Sequence, residues 1–171
     1  MEDEKTIILP DTPPFDELAV TTWFGMAVLS AQSLEEALET FVVVLRFVEW
    51  PSSLTPLPEI GLASIQVWDK KTMGRVLSDV KKFYNLDPLL DNLLMTALAK
   101  RNHLIHKFKR SNRTKWNDEK GRAELIDELQ TIIRIFHNAA DALFVLSNGL
   151  MQSFEIAKKS SSRRNNKIKS N

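Results

Sequence analysis

The chain has 171 residues, enough for one domain with a proper core. Hydrophobic residues make up 43 % and charged residues 26 %, the balance of a globular protein rather than a disordered or fibrous one. A net charge of +1 points to no partner by itself, and the absence of cysteine excludes disulfides, thiol catalysis and thiolate zinc sites.

The opening "MEDEKTIILP" is acidic and has no long apolar core, so no secretory signal is expected. Residues 1–14 read as a lead-in ending in "PDTPP", whose prolines hold off a helix start until Phe15. From Phe15 to about Trp50 the apolar positions Val20, Trp23, Ala27, Ala31, Leu34, Leu38, Phe41, Leu45 and Val48 recur at helical spacing. The strongest apolar run, "FVVVLRFV" at 41–48, carries an arginine and is far too short to span a bilayer. A cytoplasmic protein with no membrane association is expected.

"PSSLTPLPEIG" stops the first helix. A second helix is expected over about 68–84, with Met73, Val76, Leu77, Val80 and Phe83 inward. In "NLDP", Asp87 suits a cap and Pro88 the first helical position, so a third helix runs from Pro88 to about Arg110. "SNRTKWND" breaks it. A fourth runs from about Asn117 to Lys158, with Leu125, Leu129, Ile132, Ile133, Phe136, Ala140, Leu143, Phe144 and Leu150 on its apolar side, and Gly121 and Gly149 as points of fraying or kinking.

No strand pattern, repeat or glycine-rich phosphate loop interrupts this series. The expected fold is all-α, a four-helix bundle, mostly up-and-down, over 15–157. The segment 158–171, "KKSSSRRNNKIKSN", has six basic residues and no acid, and reads as a disordered basic tail.

The third helix contains "KRNHLIHKFKR", residues 100–110, with two of the three histidines. At about 100° per residue, Leu90, Leu93, Leu94, Ala97, Leu98, Leu104, Ile105 and Phe108 fall within an arc of about 140°. Arg101 lands near the middle of that arc. An unpaired guanidinium there would cost several kcal/mol, so Arg101 requires an acidic partner, a wet cleft or a second subunit. Glu35 or Glu39 of the first helix is the candidate carboxylate. Asn102 and His106, four residues apart, share a flanking face with Lys109. His106 sits about 140° around the helix from Arg101.

Between Lys100 and Lys115 there are seven basic residues and no acidic one. Such a cluster beside a histidine suits a polyanion, above all nucleic acid, with Lys107, Lys109, Arg110 and Arg113 as the candidate binding residues. The bland counterpart is a solvated helix end, where the helix dipole favours cations. Gln32 and Glu35, at the edge of the first helix's stripe, are candidates to support a cleft. Nothing in the sequence calls for a cofactor, and no metal-ligand cluster stands out.

"RNHLIH" resembles the R-x4-6-H motif of the HEPN superfamily (higher eukaryotes and prokaryotes nucleotide-binding domains), with four residues between Arg101 and His106. "FGMAVLSAQSLEEAL" in the first helix looks like bacterial HEPN-type proteins as well, so the resemblance covers most of 15–155. It implies a metal-independent endoribonuclease in a toxin or anti-phage setting, acting as a homodimer whose two motifs meet in one cleft, with an antitoxin protein as partner. In that frame Arg101, Asn102 and His106 are catalytic. His106 is the acid or base, Arg101 holds the scissile phosphate, and Asn102 positions it. Some toxin members carry a tyrosine two residues after the histidine that a partner enzyme modifies; this chain has Phe108 there, with no hydroxyl to modify. The competing expectation is a non-catalytic helical-bundle dimerisation or protein-interaction module, in which Arg101 and His106 serve an interface.

Overall fold

A computed structural model describes residues 16–49 and 72–169, with side chains except at 49, 82–83 and 161–169. The expectations for 1–14, for the connection after the first helix and for a helix start at 68 lie outside these residues. The described chain is all-α, with no strand. Its helices are α1 (Glu17–Glu49), α2 (Met73–Phe83), α3 (Pro88–His106), the single turn α4 (Phe108–Ser111) and α5 (Glu119–Lys169). A 3-10 turn, Lys115–Asn117, precedes α5.

Side-chain caps mark the starts of α1, α3 and α5, whereas α2 has none. Asp16 Oδ1 accepts the Ala19 N–H at 2.7 Å and so opens α1. Asp87 caps α3 as expected, accepting from the Leu89 N–H at 2.8 Å, with Pro88 at the first helical position. Asp118 accepts the Gly121 N–H at 2.7 Å and opens α5 two residues later than expected. Thr72 is extended, at φ −71° and ψ 150°, so α2 begins at Met73.

Partner numbers give the helix directions. Ser30 meets His137 and Phe47 meets Phe154, and in both pairs the partners lie 107 residues apart. A constant separation means that α1 and α5 run parallel. Along α3 the numbers move oppositely: Glu35 pairs with Arg101, and Phe24 with Phe108. Thus α3 runs antiparallel to α1. It is also antiparallel to α2, because Lys81 pairs with Asp91 while Gly74 faces Leu98. The bundle is up-and-down from α2 onward, and the step from α1 to α2 is the exception.

One apolar cluster joins all these elements. On α1 it comprises the expected Val20, Ala27, Ala31, Leu34, Leu38, Phe41 and Leu45 with Val42 added, while Val48 is only partly buried; on α2 it comprises the expected Met73, Val76, Leu77 and Val80, and the side chain of Phe83 lies outside the described residues. Phe24 and Trp23 pack against it from α1. On α3 and α4 the buried positions are Leu90, Leu94, Ala97, Leu104 and Phe108. Steps of four and three connect them, with position 101 as the missing member. Ile105, expected inside, is 41 % exposed.

Two further expectations are corrected. First, the third helix does not run unbroken to Arg110: Lys107, at φ −128° and ψ −24°, interrupts it after His106. Hydrogen bonding resumes at once, from the Ser111 N–H to the Lys107 carbonyl at 2.8 Å, so Phe108 still reaches the core. Second, Phe144 is 65 % exposed, because the seam of α5 passes through Leu125, Leu129, Ile132, Phe136, Ala139 and Leu143 and leaves the next residue about 100° around the helix. The backbone of α5 runs on as helix to Lys169. No proline or glycine follows Gly149 to stop it, and residues 155–160 are exposed.

The helical assignment of α5 is unbroken at both its glycines. Gly121 is buried where the 3-10 turn crosses the helix start, and a Cβ there would lie 2.7 Å from Lys115 Cα and closer still to its carbonyl oxygen. A Cβ at the exposed Gly149 meets nothing within 4 Å. Gly121→Ala is therefore expected to destabilise the fold by about 1–3 kcal/mol through overpacking, whereas Gly149→Ala stabilises it by about 0.5–1 kcal/mol through helix propensity. Urea denaturation of the two variants checks the opposite signs.

Candidate functional site

The residues expected to form a site occupy the lower half of α3 and the turn below it. Arg101 stands at the missing seam position and faces α1. Its Nε–H donates to Glu35 Oε1 at 2.7 Å, with the arginine side chain 22 % and the glutamate 31 % exposed. The helix therefore accepts a guanidinium on its apolar side by giving it a carboxylate from the neighbouring helix and partial access to water. Of the two glutamates expected as partners, Glu35 makes this contact. The Nη1–H of Arg101 makes a long contact, 3.5 Å, with Asn102 Oδ1. These are the guanidinium's hydrogen bonds among the described residues.

Asn102 and His106 are both exposed. Among the described residues His106 has no hydrogen-bond or ion-pair partner. Lys107, Lys109, Arg110 and Arg113 are likewise exposed and have no acidic partner among the described residues. Five groups that are or can become cationic thus lie within eight residues at one end of the bundle. Gln32, one turn before Glu35 on α1, is exposed.

His103 does not join this face. It packs between α3 and α5, edge-on to Phe108 with ring centroids 6.0 Å apart. Its Nε2 lies 3.4 Å from Glu128 Oε1 but is buried without a properly aligned hydrogen bond, so the contact is electrostatic. Phe108, at the position where some toxins of the resembled family have a modifiable tyrosine, is buried against Phe24.

Sequence reasoning missed the third histidine. His137 Nε2 lies 3.2 Å from the hydroxyl of the nearly buried Ser30. The Ser30 hydroxyl donates its proton to the Met26 carbonyl at 2.9 Å, so it accepts from His137 rather than being activated by it. No catalytic serine results, and no sequence spacing signals a pair so far apart in the chain. Among the described residues no group of histidines and carboxylates could hold a metal ion, and no helix is long and apolar enough to cross a membrane.

No protein-family model, curated protein or solved structure matches this chain.

Glu35→Ala leaves Arg101 in the seam without its carboxylate. An expected loss of about 1–2 kcal/mol lies between the exposed and the fully buried ion pair. The double variant Glu35→Ala/Arg101→Ala is expected to lose less than the sum of the singles. Strict additivity in denaturant titrations would show that the pair contributes nothing.

Proposed function

We propose that the chain is a HEPN-like, metal-independent endoribonuclease that acts in the cytoplasm as a homodimer, with Arg101, Asn102 and His106 as its catalytic set. The observation that carries this reading is an exposed His106 set among four exposed cations, all without an acidic partner among the described residues, just beyond a largely buried arginine. The cations attract the phosphate backbone. An imidazole is the side chain best suited to move protons near neutral pH.

In the reaction, the RNA 2′-oxygen attacks the adjacent phosphorus and the 5′-oxygen leaves. A histidine takes the 2′-hydroxyl proton, and an acid returns a proton to the leaving oxygen. The product is a 2′,3′-cyclic phosphate. Arg101, held through Nε by Glu35, offers its remaining N–H groups to the phosphate oxygens, whose charge grows in the transition state. Asn102 helps to orient that phosphate, and Glu35 and Gln32 flank the arginine. Because Arg101 and His106 lie about 140° apart around the helix, one copy's pair does not converge on one phosphate. A second copy supplies the missing half of the cleft. In a toxin setting the further partner is an antitoxin protein, and neutralisation by modifying Phe108 is excluded because that ring is buried and lacks a hydroxyl.

The competing reading, a non-catalytic dimerisation or interaction module, is favoured by one observation: the ion pair with Glu35 already gives Arg101 a structural use. The two readings separate in one assay. Wild type incubated with labelled RNA in EDTA is expected to leave cyclic phosphate ends, and His106→Ala is expected to leave none. Since His106 is exposed, the substitution changes stability by no more than about 0.5 kcal/mol. Undiminished cleavage by His106→Ala removes the assignment. No cleavage by wild type, together with a dimer weakened by Arg101→Ala, establishes the interaction module.

A further inference from the structure

Between the first turns of α1 and the 108–117 segment lies a groove of about 510 Å³. Its walls are aromatic: Phe24, Phe108 and Trp116. Its mouth carries Lys109 and Arg113, exposed and without an acidic partner among the described residues. Glu17 and Thr21 lie along the opposite edge.

Aromatic walls beside unpaired cations suit one ligand chemistry, a nucleobase joined to phosphate. Bases stack on aromatic faces, and the backbone follows the positive charge. Of the three rings, Phe24 and Trp116 are partly exposed, and the indole offers the larger stacking face. Phe108 is 1 % exposed and fixed against Phe24, with ring centroids 5.7 Å apart, whereas Trp116 is partly exposed. Its indole N–H is buried with no hydrogen-bond acceptor among the described residues, and the ring packs against the core with one face towards the groove. Its backbone is anchored, because Arg122 Nη1–H donates to the Trp116 carbonyl at 3.0 Å.

The polar edge adds selectivity. The Thr21 hydroxyl donates its proton to the Glu17 carbonyl at 2.8 Å, which leaves its oxygen as an acceptor. The Glu17 carboxylate is an acceptor only. A base with an exocyclic amino group supplies the matching donors, and uracil lacks one.

We propose that this groove is a nucleobase subsite, which holds one amino-bearing base of single-stranded RNA against Trp116 while Lys109 and Arg113 take the flanking phosphates. The inference rests on RNA being the ligand of this end of the molecule, and it does not depend on cleavage.

The test is fluorescence anisotropy of the full chain with three labelled 2′-O-methyl heptamers: oligoadenylate, oligouridylate and an abasic strand of equal charge. The methylated strands have no 2′-hydroxyl to attack phosphorus, so binding is read apart from any nuclease activity. Oligoadenylate is expected to bind on the order of tenfold more tightly than the abasic strand, the worth of one stacked base. Trp116→Leu is expected to abolish that difference. Arg113→Ala is expected to weaken all three strands and to lower the slope of log affinity against log salt by about 1. Glu17→Ala is expected to narrow the preference for adenylate over uridylate. Equal binding of intact and abasic strands by wild type overturns the subsite without reference to any variant, so a folding defect in Trp116→Leu leaves the test standing. An undiminished base dependence in a folded Trp116→Leu also overturns it. Base-dependent binding without cleavage of ordinary RNA keeps the subsite and removes the nuclease; cleavage without base dependence does the reverse.

Discussion

Two neighbouring helices that run in the same direction cannot be joined by a short turn, and the arrangement of this protein follows from that constraint. The parallel pair α1 and α5 forms its spine, with Leu34, Leu38, Leu125, Leu129, Ile132, Phe136 and Leu143 all fully or almost fully buried. Each such side chain contributes about 1.5–3 kcal/mol by leaving water. For α5 to start level with α1, the chain must first descend the length of the bundle. α3 makes that descent, and α2 covers its upper part. The low end of α3 is therefore where the chain reverses, through α4 and the 3-10 turn, into α5. The exposed cations collect at this reversal, where one helix ends, another begins and side chains point outward past the core.

The same geometry sets the chemistry available to Arg101. Because α3 runs antiparallel to α1, a seam position on α3 meets the flank of α1, where glutamate alternates with the apolar stripe. The guanidinium is neither stranded in the core nor loose in water. It is oriented by one carboxylate and still offers free donors. A side chain in that state serves anion binding better than a flexible surface arginine, because part of its conformational entropy is already lost.

Much of the fold was legible in the sequence because it rests on local rules. The stripe on α1, the Asp87–Pro88 start and the inward set on α2 need only periodicity and capping. Arg101 was legible as an anomaly, since a charge on an apolar arc demands a partner, and the choice narrowed to two glutamates on one helix. What escaped depends on neighbours distant in sequence. The register of α5 against α1 decides that Ala139 and not Phe144 is inside. The interruption at Lys107 has no proline or glycine to announce it. The parallel sense of α1 and α5 leaves no mark in either helix alone. The meeting of Ser30 with His137, the placement of Glu128 beside His103 and the aromatic groove at Trp116 all follow from that register, so they too were hidden.

The constant separation of 107 residues between α1 and α5 partners also bears on how the chain is made. In most helical bundles the contacts are local in sequence, and folding is fast for that reason. Here the largest apolar seam closes only between segments far apart in the chain. During synthesis α1 leaves the ribosome with its Leu34–Leu38–Phe41 face complete while the helix that will cover it is still untranslated. The α2–α3 hairpin, by contrast, brings together residues only ten apart, as Lys81 and Asp91 are, and can assemble as soon as it emerges. On this contact pattern the closure of α5 onto α1, which joins the most distant segments, is the step expected to be slow.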